Sequence, residues 1–168
     1  MKKAVAITAA ALLCISSWGQ VSARDLIALF RGSGSVSCSY SYTAKGDFPV
    51  NGGGTALISG NCYRLSDSGA ETWCDGKTVW TVDRAGKEVV ITDGSVSPLA
   101  RLEEFADVIH IHSFDGESLS CSLVSAAQGL DIDLRADGIR RSSEAEDPAA
   151  FSFDTSSLGK DWIITDLR

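Results

Sequence analysis

The sequence predicts a mainly β (α+β) domain. It should be one strongly curved antiparallel sheet of about nine short strands, with two short helices on its concave side. Three observations carry this expectation. The run from Gly54 to Val82 is β-prone and punctuated by tight turns. Ser35 to Thr43 alternates strictly, with Val36, Cys38, Tyr40 and Tyr42 on one side and small polar residues on the other, the pattern of a half-buried strand. Helical spacing is confined to two stretches, Arg24–Arg31 and Ser97–Ala106.

Each element follows in order. Arg24–Arg31 sets Leu26, Ile27, Leu29 and Phe30 on one side of about two helical turns, too short to be stable unless packed. Gly32–Gly34 ends it. After the Ser35–Thr43 strand, Ala44–Gly53 holds Gly46, Asp47, Pro49 and the first two of three consecutive glycines, and reads as a loop. Thr55–Ser59 and Cys62–Ser66 are strands, followed by a turn at Asp67–Gly69. Glu71–Cys74 and Thr78–Val82 flank Asp75-Gly76-Lys77, where glycine supplies the positive φ a hairpin turn needs. Glu88–Thr92 is the next strand. Ser97 can cap the second helix, Pro98 suits its first turn, and Leu99, Leu102, Phe105 and Ala106 form its apolar stripe. Val108–Phe114, Ser118–Ser125 and Leu130–Arg135 are strands. Arg141–Asp147 is an exposed loop. Phe151–Phe153 and Trp162–Leu167 are short final strands.

The first residues stand apart from this domain. Lys2 and Lys3 precede an uncharged apolar stretch, Ala4–Ile15, and then Val21-Ser22-Ala23. That is the pattern of a secretory signal cleaved after Ala23, so residues 1–23 are expected to be a signal peptide and 24–168 the mature domain. A lipidated Cys14 is the rival reading, disfavoured by the bulky Leu13. The chain carries 15 basic and 22 acidic side chains, a formal net charge of −7; losing Lys2 and Lys3 lowers it further. This balance argues against nucleic acid or anionic membrane as the main partner, while leaving room for a local basic patch. A domain of this size buries about two-thirds of its unfolded surface and needs no metal or disulfide to fold.

Four cysteines follow the leader: Cys38, Cys62, Cys74 and Cys121. In an exported chain they are disulfide candidates, with three possible pairings. A three-residue loop at Asp67–Gly69 sets Cys62 opposite Cys74; a four-residue loop does not, and Cys38–Cys62 is the competing pair. No C-x-x-C is present.

Signals for catalysis are weak. His110 and His112 share a strand face, the i, i+2 geometry of a metal pair, but solvent-facing residues alternating with buried Ile109 and Ile111 make the same pattern. Asp131 and Asp133 likewise read as a solvated face rather than an acid–base pair. No G-x-S-x-G and no phosphate loop occurs. The expectation is therefore a protein that is not an enzyme and needs no cofactor and no metal.

Four segments taken together are distinctive: GTALISGNCYRLS from Gly54, WCDGKTVWTV from Trp73, SPLARL from Ser97 and the terminal FSFDTSSLGKDWIITDLR. They resemble the LolA-like periplasmic carriers of outer-membrane lipoproteins, most closely the shorter ones. The resemblance covers most of residues 35–168 in order, and the D-G-K-T-x-W hairpin is its most specific part. It implies an unclosed half-barrel around an apolar cavity, with the helices as a lid, acting as a monomer in the periplasm. The implied ligands are lipoprotein acyl chains or another lipid, with inner- and outer-membrane lipoprotein-sorting components as partners. The implied cavity wall is Tyr63 and Leu65, with Trp73 and Trp80 as further candidates. Leu26, Leu29, Phe30, Leu99, Leu102 and Phe105 form the lid side. Exposed acyl chains cost about 0.8 kcal/mol per CH₂ in water, so a carrier needs a dry cavity. The alternative is an envelope module of the same fold that has lost its lipid cargo and binds a protein partner.

Overall fold

The computed structural model describes residues 21–94 and 96–168; the expected leader up to residue 20, with Cys14, lies outside them. Ten strands form one sheet: β1 Ser35–Ala44, β2 Val50–Ser59, β3 Cys62–Asp67, β4 Ala70–Asp75, β5 Thr78–Asp83, β6 Glu88–Asp93, β7 Ile109–Phe114, β8 Leu119–Ser125, β9 Leu130–Ser142 and β10 Ile163–Asp166. Their order is β10-β6-β5-β4-β3-β2-β1-β9-β8-β7. Two helices, α1 Ala23–Arg31 and α2 Pro98–Glu104, complete the regular structure, with several 3₁₀ turns. The fold is thus mainly β, an unclosed sheet with β10 and β7 at its edges.

The sheet is mixed rather than purely antiparallel as expected. β10 runs parallel to β6, pairing Ile163 with Glu88 and Asp166 with Ile91. The cause is the path of the chain after β9. It runs across the back of the sheet from the end of β2, where the Glu146 amide donates to the Ser59 hydroxyl, to β6, and this strap (143–162) brings β10 in on the far side of β6. Phe151–Phe153 is accordingly not a strand. Pro148–Phe151 and Thr155–Ser157 are 3₁₀ turns capped by Asp147 and Asp154, and their neighbouring aromatics turn toward the sheet.

β2 starts earlier than its glycines suggest. Gly52 lies opposite Tyr42 and Gly54 opposite Tyr40. A Cβ on Gly52 would sit 2.4 Å from the Tyr42 ring, and one on Gly54 would sit 1.9 Å from the Ser66 carbonyl oxygen. The two tyrosines stack across this bare stretch, centroids 6.5 Å apart. Tyr40 donates to the Ser66 carbonyl at 2.8 Å and Tyr42 to Asp67 at 3.0 Å. Gly52 is therefore the floor on which the Tyr42 ring lies, and Gly54 leaves room for Ser66; close approach of another group is one of the uses of glycine within a strand.

Strand neighbours point to opposite faces, so register assigns every side chain a side. The front face carries α1 and α2. There Leu26, Val36, Leu119, Cys121, Ala136 and Ile139 form a buried cluster joined by Ile109, Ile111, Leu123 and Leu134. The back face carries the strap. Val82, Val89 and Ile91 pack there with Trp73, Trp80, Phe153, Leu158 and Trp162. Phe151, Val82 and Val89 have no solvent exposure.

Candidate functional site

α1 begins at a Ser22 cap, whose hydroxyl accepts from the Asp25 amide at 3.1 Å. Asp25 in the first turn and Arg31 in the last complement the helix dipole. The cut expected after Ala23 falls one residue inside this helix, past its capping serine. α2 starts as expected at Ser97, whose hydroxyl accepts from the Leu99 amide at 3.3 Å. It ends at Glu104, so Phe105 is its C-cap and not a member of its stripe.

Together the helices roof a small cavity of about 80 Å³ lined by Leu26, Ile27, Phe30, Leu99, Leu102 and the front-facing residues of β7–β9. Every lining side chain is apolar. Two exposed ion pairs link α1 to α2 and to the turn after it: Arg31 to Glu103, and Arg24 to Asp107 at 2.9 Å. Exposed pairs contribute about 0–1 kcal/mol each. The roof is therefore held mainly by its apolar underside, where a fully buried Leu or Ile contributes about 1.5–3 kcal/mol.

Of the residues expected at the cavity, Leu26, Phe30, Leu99 and Leu102 line this space. Tyr63 and Leu65 lie on the same front face, opposite Cys74 and Thr72, but outside the cavity. Trp73 and Trp80 do not share their wall. Trp73 sits between Arg64 and Trp80 in the ladder, hence on the back face, packed at 5.7 Å against Phe153. The expectation left the loop length at Asp67–Gly69 open, and that length decides the facing. Leu29 is 40% exposed on the outer side of α1. The residues that complete the cavity but were not singled out are Ile109, Ile111, Leu119, Cys121 (named only as a disulfide candidate), Leu123 and Leu134. Their signal was alternation: Ile111, Leu119, Cys121 and Leu134 are apolar residues with polar residues on both sides, and Ile109 and Leu123 have one on one side.

All four cysteines are free thiols. Ser68 and Gly69 form a two-residue turn, both with positive φ, so Tyr63 faces Cys74 and Cys62 faces Asp75. Cys38 pairs with Ala56, not Cys62. None of the expected disulfides therefore has opposed partners. Burial pushes the Cys121 thiol up to about 11 and raises that of Cys38. Burial, with help from the nearby Asp67, pushes the Tyr40 phenol up to about 12. These groups are neutral at physiological pH. His112 Nε2 and the Ser122 hydroxyl share a hydrogen bond at 3.0 Å. Lys45 bridges Asp133 at 2.7 Å and Asp131 at 3.5 Å, which accounts for those carboxylates as a solvated ion-pair face. Among the described residues no group of three His, Cys, Asp or Glu is placed to hold a metal ion.

No protein-family model and no curated protein matches the chain. Among solved structures, an uncharacterized conserved protein from Thermus thermophilus is similar at 12% identity, with a TM-score of 0.47, over 85% of this chain and 98% of that one.

Proposed function

We propose that this protein is a periplasmic carrier or binder of acyl chains of LolA-like kind. The lipoprotein or other lipid chain would enter between the helical roof and β7–β9, and carriage would support lipoprotein transport toward the outer membrane. The observation that supports the reading is the wholly apolar cavity under two short helices. A dry apolar space takes up apolar ligands readily. Its roughly 80 Å³ is well below the ~300–1,000 Å³ of ligand sites, so this closed state would have to open, with α1 and α2 moving outward. Two surface ion pairs put little in the way of that motion.

The test is titration with a fluorescent fatty-acid analogue, competed by palmitate. Wild type should bind, and Leu123→Trp, which places an indole in the cavity, should bind at least tenfold more weakly with an unchanged circular-dichroism spectrum. Failure of wild type to bind, or undiminished binding by the variant, sinks the reading. A second reading is a partner-binding envelope module without lipid cargo. The edge of β10, unpaired among the described residues, with Ile163 and Ile164 exposed and Leu167 beyond them, favours it, because open edges are templates for strand addition. It is preferred if the analogue does not bind.

A further inference from the structure

The back face has a second feature, away from both the cavity and the strap's hydrophobic cluster. One ladder row crosses it from β9 to β6: Arg140, Ser37, Leu57, Arg64, Trp73, Trp80, Ile91. Trp73 onward lies under the strap. The part from Arg140 to Arg64 is uncovered and floors a groove of about 650 Å³, which Ser39 and Thr55 extend on the neighbouring row. Three strand spacings of ~4.8 Å separate the two arginine backbones, and both side chains line the groove.

Arg64 is held in place. Its guanidinium lies 3.8 Å above the Trp73 ring. That stacking occupies the flat face of the ion and leaves its in-plane N–H groups free. Glu71 is 3.9 Å away, beyond hydrogen-bond distance, and already accepts from Arg84 and from the Trp73 indole at 3.0 Å. Among the described residues Arg64 donates no hydrogen bond to protein, Arg140 has neither a hydrogen bond nor an ion pair, and the Ser37 and Ser39 hydroxyls have no protein partner. In a chain of net charge −7, the Arg140 guanidinium, without an ion pair among the described residues, the Arg64 guanidinium with Glu71 at 3.9 Å, and the Ser37 and Ser39 hydroxyls line one groove and make it locally basic.

We propose that this groove binds a phosphate group, with Arg64 and Arg140 clamping its oxygens and the Ser37 and Ser39 hydroxyls donating to it. Guanidinium–phosphate bonds are charge-assisted and frequently bidentate. A doubly charged phosphate monoester matches two guanidiniums better than a single carboxylate does. The site is on the opposite face from the apolar cavity and stands independently of any acyl-chain binding.

The experiment uses inorganic phosphate, read by intrinsic tryptophan fluorescence because Trp73 touches Arg64. It is paired with sedimentation on vesicles of phosphatidylcholine with or without phosphatidic acid. Saturable phosphate binding is expected, weakened at least tenfold in Arg64→Gln and in Arg140→Gln. Arg140 has no protein partner to lose, so its variant tests the site even where Arg64→Gln disturbs Trp73. Sedimentation only with phosphatidic acid, lost in both variants, assigns the phosphate to a lipid headgroup. Phosphate binding without sedimentation assigns it to a soluble ligand. Binding of neither probe, or binding that both variants retain, overturns the proposal.

Discussion

At the β7–β8–β9–β1 end, two short helices cover the front of the sheet and leave a cavity beneath them. At the β3–β6 end, an irregular strap covers the back and packs closely on it: Val82, Val89 and Phe151 are fully buried there. A helix presents a curved row of side chains, and α1 offers Ala23, Leu26, Ile27 and Phe30 to the sheet. Gaps remain where that row leaves the surface. A strap without regular structure can bend to place Phe151, Phe153, Leu158 and Trp162 individually against the ladder. The irregular segment thus packs its side of the sheet more closely than the two helices pack theirs.

The largest expected effect tests that contrast directly. Phe151→Ala should cost about 3–5 kcal/mol in urea unfolding, the range for emptying a packed aromatic site. Leu102→Ala in the roof, where the side chain is 38% exposed, should cost less than about 1 kcal/mol. Equal costs would break the distinction between the two halves.

A smaller pair of effects should differ in sign. Val82→Leu adds volume where none is available and should destabilise by about 1–3 kcal/mol. Cys121→Leu adds volume toward the cavity and should stabilise by about 0.5–2 kcal/mol, as cavity filling does. Thermal melts of the two variants would show it. A destabilising Cys121→Leu would mean that the roof cannot accommodate even one added side chain.

The smallest effect concerns charge on the back face. The hydrogen bond from Arg84, and then that from the Trp73 indole, hold the Glu71 carboxyl below its usual range, against the opposing effect of burial. The folded state therefore binds this proton less readily than the unfolded state. Its contribution to stability is present above the unfolded pKa of ~4.3 and is lost as pH falls through the folded value. Glu71→Gln should cost about 1 kcal/mol at neutral pH. Its deficit relative to wild type should close as pH drops below ~4, as read by denaturant midpoints against pH. A deficit independent of pH would remove the ion pair from the account.

Much of the site was legible because period-2 and helical patterns report burial directly. Helical spacing already sets Phe30, Leu99 and Leu102 on the apolar sides of their helices, and the serine that caps α2 was readable as well. Trp73 and Trp80 were not, because the facing of a whole strand turns on one residue of loop length. The two-residue turn at Ser68–Gly69 sends both indoles to the back. The glycines of β2 misled for a related reason. In isolation Gly52–Gly54 signals a flexible loop; only the neighbouring strands show why side chains are excluded there, with the Tyr42 ring against Gly52, the Tyr40 carbonyl against Gly53 and Ser66 against Gly54.

By itself the sequence determined the β-rich class, nearly all the strands, both helices and the apolar faces each would bury. Those follow from local spacing and from residues whose conformational preferences act within a few positions. Only the tertiary structure decided which face each half of the sheet would bury, that β10 would join in parallel, and that Arg64 and Arg140 would meet in one groove. Each of these depends on register or on the path of a long connection, and residues separated by most of the chain become neighbours only once the sheet is assembled.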